Sequence, residues 1–182
     1  FEYILKQNGL DPHKDLSIDQ SIDFGATAAA FTGDNSADFT VEFEPSATAL
    51  EKQGAGYVVA SLGVDSGYVP YTSYSAKTSY MEKNPDIMQK FTNALQKGMD
   101  YVQKHTPEEI ARVIEPQFPE TDLDTITAIV KRYYDQDTWK KNLVFGQEGF
   151  ELLQDILEDA GELKERTPYE ELVNTEFAQN AS

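Results

Sequence analysis

Residues 57–62 read Tyr-Val-Val-Ala-Ser-Leu, a run that is apolar at consecutive positions rather than at every second one. Successive side chains of an extended chain point to opposite faces, so such a run needs cover on both. That is the pattern of a strand inside a mostly parallel sheet with helices on either side. The preceding residues repeat it. Tyr3, Ile4 and Leu5 feed a helix that stops at Asn8-Gly9, and after Asp11-Pro12 the stretch Leu16-Ser17-Ile18-Asp19 alternates like a strand. Gly25-Ala26-Thr27 then opens an alanine-rich helix through Phe31 to Gly33, and residues 38–43 alternate again, with Phe39, Val41 and Phe43 on one face. Pro45 begins a third helix, through Leu50 to Gly54, which leads into the apolar run. Three such units predict an α/β fold, because parallel neighbours need crossover connections.

After the loop carrying Gly63, Ser66, Gly67 and Pro70, and the extended Tyr71-Thr72-Ser73-Tyr74, the chain reads as almost pure helix. Asn84-Pro85 starts a helix with Ile87, Phe91, Ala94, Leu95 and Val102 on one face, and Thr106-Pro107-Glu108-Glu109 spells a capping box. A further helix from Thr121 presents Ile126, Ile129, Val130 and Tyr133. Another carries Phe150, Leu153, Ile156 and Leu157 to Gly161, and a short one at 168–173 precedes a polar tail.

Charge and composition exclude several functions. With 15 basic against 32 acidic residues the net charge is −17, and the longest basic run is Lys140-Lys141, so no nucleic-acid partner is expected. No stretch of about 18 apolar residues is available to span a bilayer. The chain has no cysteine, and its two histidines, His13 and His105, have no metal-site or triad spacing and are expected at the surface. Neither a nucleophile elbow nor a phosphate-binding or dinucleotide loop occurs, so no catalytic residue, metal or cofactor is expected. The candidate site lies instead where open α/β sheets bind ligands, at the carboxyl ends of the strands. There Gly25-Ala26-Thr27, Phe43-Glu44-Pro45 and the loop with Ser66, Gly67 and Tyr71 are expected to converge.

The stretch Phe39-Thr-Val-Glu-Phe-Glu-Pro-Ser-Ala-Thr-Ala-Leu-Glu51, then residues 54–63 and Val69-Pro70-Tyr71-Thr72, resembles the substrate-binding proteins of bacterial ABC importers. The likeness is to the group that takes up thiamine-precursor pyrimidines, aliphatic sulfonates, taurine and nitrate. Asn84-Pro85-Asp86, Phe118-Pro119, Arg132-Tyr133, Pro168-Tyr169 and Thr175-Glu176-Phe177-Ala178 are similar to the carboxyl half of that group. The resemblance implies a type II periplasmic-binding-protein fold of two α/β lobes, present here in part. Residues 1–72 would be most of the second lobe. Residues 73–182 would be a crossover strand and the helices that return to the first. The chain opens on Phe1, already in an amphipathic pattern, and an amino-terminal half with a lipoprotein anchor is expected upstream.

The function implied is that of a non-catalytic, extracytoplasmic solute-binding subunit, which captures a small ligand and presents it to a membrane permease. In that role Glu44 would accept a hydrogen bond from an amino-substituted ring, Thr27 and Ser66 would donate, and Phe43 and Tyr71 would stack or wall the ligand. A thiamine-precursor pyrimidine is favoured. The alternatives are a sulfonate, taurine or nitrate binder, or an enzyme of thiamine-pyrimidine synthesis on the same fold, whose chemistry would call on His and Cys.

Overall fold

The computed structural model describes residues 1–33 and 36–182. Eleven α-helices follow one another among these residues: α1 (Glu2–Gln7), α2 (Thr27–Gly33), α3 (Ser46–Lys52), α4 (Leu62–Asp65), α5 (Thr78–Lys83), α6 (Pro85–Lys104), α7 (Pro107–Ile114), α8 (Leu123–Asp135), α9 (Gln147–Asp159), α10 (Tyr169–Leu172) and α11 (Glu176–Gln179). Short 3-10 turns at Phe24–Ala26 and Glu115–Gln117 lead into α2 and extend α7.

The helices form where the local chemistry asks for them. Thr106 accepts the Glu109 amide on its hydroxyl while the Glu109 carboxylate accepts the Thr106 amide, so the capping box closes and Pro107 sits in the first turn. Asp122, one residue later than the expected start at Thr121, caps α8 by accepting the Thr125 amide at 2.9 Å and the Thr125 hydroxyl at 2.5 Å. These bonds, with Lys52 nearby, pull the Asp122 carboxyl down to about 2. The tail expected to be only polar contains α11, which Gln89 of α6 holds through the Phe177 carbonyl at 3.0 Å.

The α/β expectation is not met: among the described residues there is no strand. Residues 39–43 and 57–61 run without regular hydrogen bonding, and so do residues 16–20 and 69–77. The apolar run is uncovered, with Tyr57 84% and Val59 75% exposed. Alternation encodes a preference for extended backbone, but a strand exists only where a neighbour completes its ladder, and none of these segments finds one.

What is packed is helical. Ile110 and Ala111 of α7 meet Ile126 and Val130 of α8, with Tyr101 and Val102 of α6, Ile114, Leu123 and Trp139 around them. The stripe at 110/114 and 126/130 is one helical turn apart on each element, which lets the two faces interlock. The amino-terminal part of the α6 face stays open, since Ile87 and Phe91 are exposed. A second, smaller cluster joins Phe145, Phe150 and Tyr169 edge to face and brings α10 onto α9. His105 departs from its expected surface position. It is half-buried, stacked on Tyr101 at 3.6 Å between ring centroids, with Nδ1 2.8 Å from the Tyr101 carbonyl.

Two outcomes follow from this packing. Ile126→Ala, which opens a cavity in the tightest cluster, is expected to cost about 3 kcal/mol in urea unfolding. Asp122→Ala is expected to lower the melting temperature at neutral pH. Because the folded-state carboxyl lies below its ordinary 3.8, its stabilisation is complete above that value and fades as pH falls towards about 2. The melting curves of wild type and variant therefore converge in that acid window, which a pH series of thermal scans checks.

Candidate functional site

Glu44 and α3 carry the polar centre of the molecule. Glu44, Thr48 and Glu51 recur at i, i+4 and i+7, so the three side chains share one face of the helix start and its continuation. One Glu44 carboxylate oxygen accepts the Thr48 amide at 3.0 Å, and the other accepts the Thr48 hydroxyl at 2.9 Å. The Glu44 side chain is only 5% exposed, so these bonds replace water that burial removed.

Arg132 of α8 faces the same carboxylates. Nη1 donates to Glu44 and lies 3.3 Å from the Thr48 hydroxyl oxygen, while Nη2 donates to Glu51. The flat guanidinium can do this because its donors point in fixed directions towards two acceptors at once. Glu51 in turn accepts the Val58 amide at 3.0 Å, and that bond, with Arg132, holds its carboxyl below the ordinary range. Burial pushes up the phenol of Tyr133, the next residue of α8.

On the outer side of this clamp is an aromatic wall. The Phe43 ring meets Phe24 edge to face at 5.0 Å and Tyr71 at 5.4 Å. Phe24 and Tyr71 are 63% and 80% exposed, so the wall has a free face. Thr27 adjoins it from the first turn of α2, where its hydroxyl donates to the Phe24 carbonyl at 3.0 Å. Of the expected site residues, Thr27, Phe43, Glu44 and Tyr71 are therefore linked through the Phe24–Phe43–Tyr71 ring chain. Ser66 is not joined to them by any of these contacts; its hydroxyl reaches the Gly67 carbonyl at 3.4 Å at the end of α4.

Sequence reading passed over Phe24, Thr48, Glu51, Arg132 and Tyr133 as site residues. The i, i+4, i+7 spacing was one available signal. Another was Arg132 itself, whose neighbours four residues away are Ala128 and Gln136 and whose acidic i+3 neighbour, Asp135, pairs with Lys131. Behind Arg132 runs an open groove of about 510 Å³ between Ser61, Val64, Ala128 and the carboxyl end of α8. Its polar groups are mutually engaged: Lys131 with Asp135 at 2.6 Å, and Gln136 with Ser61 at 2.9 Å. Among the described residues no group of His, Cys, Asp and Glu is arranged to hold a metal ion.

Residues 1–110, which contain α1 to α6, the aromatic wall and both clamp carboxylates, match the profile of proteins described as NMT1/THI5 like. The chain belongs to the NMT1/THI5-like family. Membership implies a periplasmic-binding-protein-like fold, whose α/β sheets do not appear among the described residues. The chain is also 40% identical over 181 residues to the "Putative binding protein YtlA" of Bacillus subtilis (strain 168), an alignment covering all of this chain and 54% of that protein. The chain therefore spans about half the length of the curated relative it matches. No solved structure matches it. Within the family match lie Phe24, Thr27, Phe43, Glu44, Thr48, Glu51 and Tyr71, while Arg132 and Tyr133 fall beyond it.

The buried hydroxyl of Thr48 bonds both partners of the Glu44–Arg132 pair, and a methyl group in its place would leave them short of a bond. Thr48→Val is expected to destabilise the protein by about 1 to 2 kcal/mol, measured by chemical unfolding, despite its matching shape.

Proposed function

We propose that the chain is part of an extracytoplasmic solute-binding protein of an ABC importer, which holds a small, flat, amino-bearing ring against the Phe43–Tyr71 wall and hands it to a membrane permease. The observation that carries this reading is the pairing of an exposed aromatic wall with a buried carboxylate directly behind it. A planar ligand gains from offset or edge contacts with Phe43 and Tyr71. One oxygen of Glu44 accepts a single bond from the protein, so a lone pair remains for an amino group at the ring's edge. Thr27 and Ser66 are the hydroxyl donors of this reading, each turning from its backbone carbonyl partner, Phe24 or Gly67, to the ligand.

Charge separates the ligand classes. Arg132 offsets one of the two carboxylates it holds, leaving the trio with a net charge of −1. Such a site disfavours nitrate, taurine's sulfonate and alkane sulfonates, and accepts a neutral amine-bearing ring such as a thiamine-precursor pyrimidine without a large desolvation cost. The binding-protein name of the Bacillus subtilis relative supports capture rather than turnover.

The remainder of a longer protein completes this picture. Residues 1–72 belong to one lobe and residues 73–182 return to the other. In the whole protein the uncovered segments 39–43 and 57–61 pair with strands supplied from outside these residues, and an anchor upstream fixes the protein at the membrane surface.

A thermal-shift screen of the full-length protein tests the reading. An aminopyrimidine is expected to raise the melting temperature and to be recovered unchanged by mass spectrometry, whereas taurine, alkane sulfonates and nitrate are not expected to shift it. Tyr71→Ala is expected to weaken aminopyrimidine binding by about 1 kcal/mol, roughly fivefold in Kd. A shift from the anions alone would replace the ring reading with a sulfonate or nitrate site, and chemical conversion of the pyrimidine would make the protein an enzyme.

A further inference from the structure

We infer that Arg132 is the positioning residue of the ligand wall, holding Phe43 in its contact with Tyr71 by gripping the residue next to it. The inference rests on the solute-binding reading, but its geometry stands apart from any ligand. Phe43 belongs to no helix or strand. Phe43 is 42% exposed and its ring partners, Phe24 and Tyr71, are themselves exposed, so aromatic packing alone gives it no fixed seat.

The fixed point is residue 44. Its side chain is held by Arg132 and Thr48. Arg132 stands on α8, two residues after Val130 of the best-buried cluster, so the grip is referred to the most tightly packed part of the described residues. The second arm of the guanidinium, to Glu51, lies a helix length away from Phe43 and steadies the Arg132 plane and the start of the 57–61 segment through Val58. The two arms therefore have separable duties. Loss of the Glu44 arm frees the wall; loss of the Glu51 arm does not.

The test uses the full-length protein, labelled on Phe and Tyr rings, and two readouts: the NMR contact between the Phe43 and Tyr71 rings, and the calorimetric Kd for an aminopyrimidine. Arg132→Met is expected to abolish the ring contact and raise Kd tenfold or more, while Ile126 and Val130 keep their mutual contacts. Arg132→Lys, which restores one charged link to Glu44, is expected to recover the ring contact and most of the affinity. Glu51→Gln, which touches only the second arm, is expected to keep the Phe43–Tyr71 ring contact. If Arg132→Met does not fold, Arg132→Gln, which keeps a donor but no charge, takes its place with the same expectation. A variant that melts earlier but retains the Phe43–Tyr71 contact would overturn the inference and make Arg132 a structural tie alone. If the wild-type protein binds no aminopyrimidine, the ring contact still decides the role of Arg132, and only the ligand reading falls.

Discussion

A single guanidinium on α8 joins three parts of the chain that have little else to hold them together. Arg132 reaches Glu44 at the entry to α3 and Glu51 near its end, and Glu51 passes the connection on to the Val58 amide. The Glu44 side chain is buried, so its charge would be costly without that partner and without the two bonds it accepts from Thr48. Lys52 adds a parallel tie from the same helix to Asp122 and Thr125 at the start of α8. The α3–α8 seam is thus polar and directional, in contrast to the apolar α7–α8 seam beside it. An apolar seam tolerates sliding, whereas a forked ion pair with satisfied hydrogen bonds fixes one register.

This arrangement explains how an acidic chain holds together where charges concentrate. With 32 acidic residues against 15 basic ones, most carboxylates have no cation to pair with and stay in water. Two of the three arginines each serve more than one carboxylate. Arg132 serves two carboxylates at the buried seam, and Arg166 serves Asp155 and Glu158 on the exposed face of α9. The second cluster is solvent-exposed and screened, so it contributes far less than its number of contacts implies. Burial, not count, decides which of the two the fold depends on.

Much of the helical part was legible because helix signals are local. The Thr106–Glu109 capping box, Pro85 and Pro107 in first turns and the 126/130 stripe each state an element within a few residues. The strands were not legible in the same way. Residues 39–43 and 57–62 carry a strand pattern, yet a ladder is a relation between segments, and these have no neighbour among the described residues. The site was partly legible for a similar reason. Phe43, Glu44 and Tyr71 stand out as an aromatic and acidic group in loops, and Phe43 and Tyr71 do meet. Arg132, 88 residues from Glu44, could be placed beside it only by folding α8 against α3.

The two rings of the wall are anchored unequally, and this bears on how a ligand is held. Phe43 is bonded to a residue whose side chain Arg132 and Thr48 hold, while Tyr71 lies in a stretch, residues 71–80, that is exposed throughout. Ordering a side chain such as Tyr71 costs about 1 kcal/mol, and a ligand stacking against both rings must offset that cost on one side only. In the proposed site the clamped ring would set where the ligand sits, and the free ring would follow it. Recognition built this way needs no rearrangement of α3 or α8, because the adaptable partner is the one furthest from the buried charges.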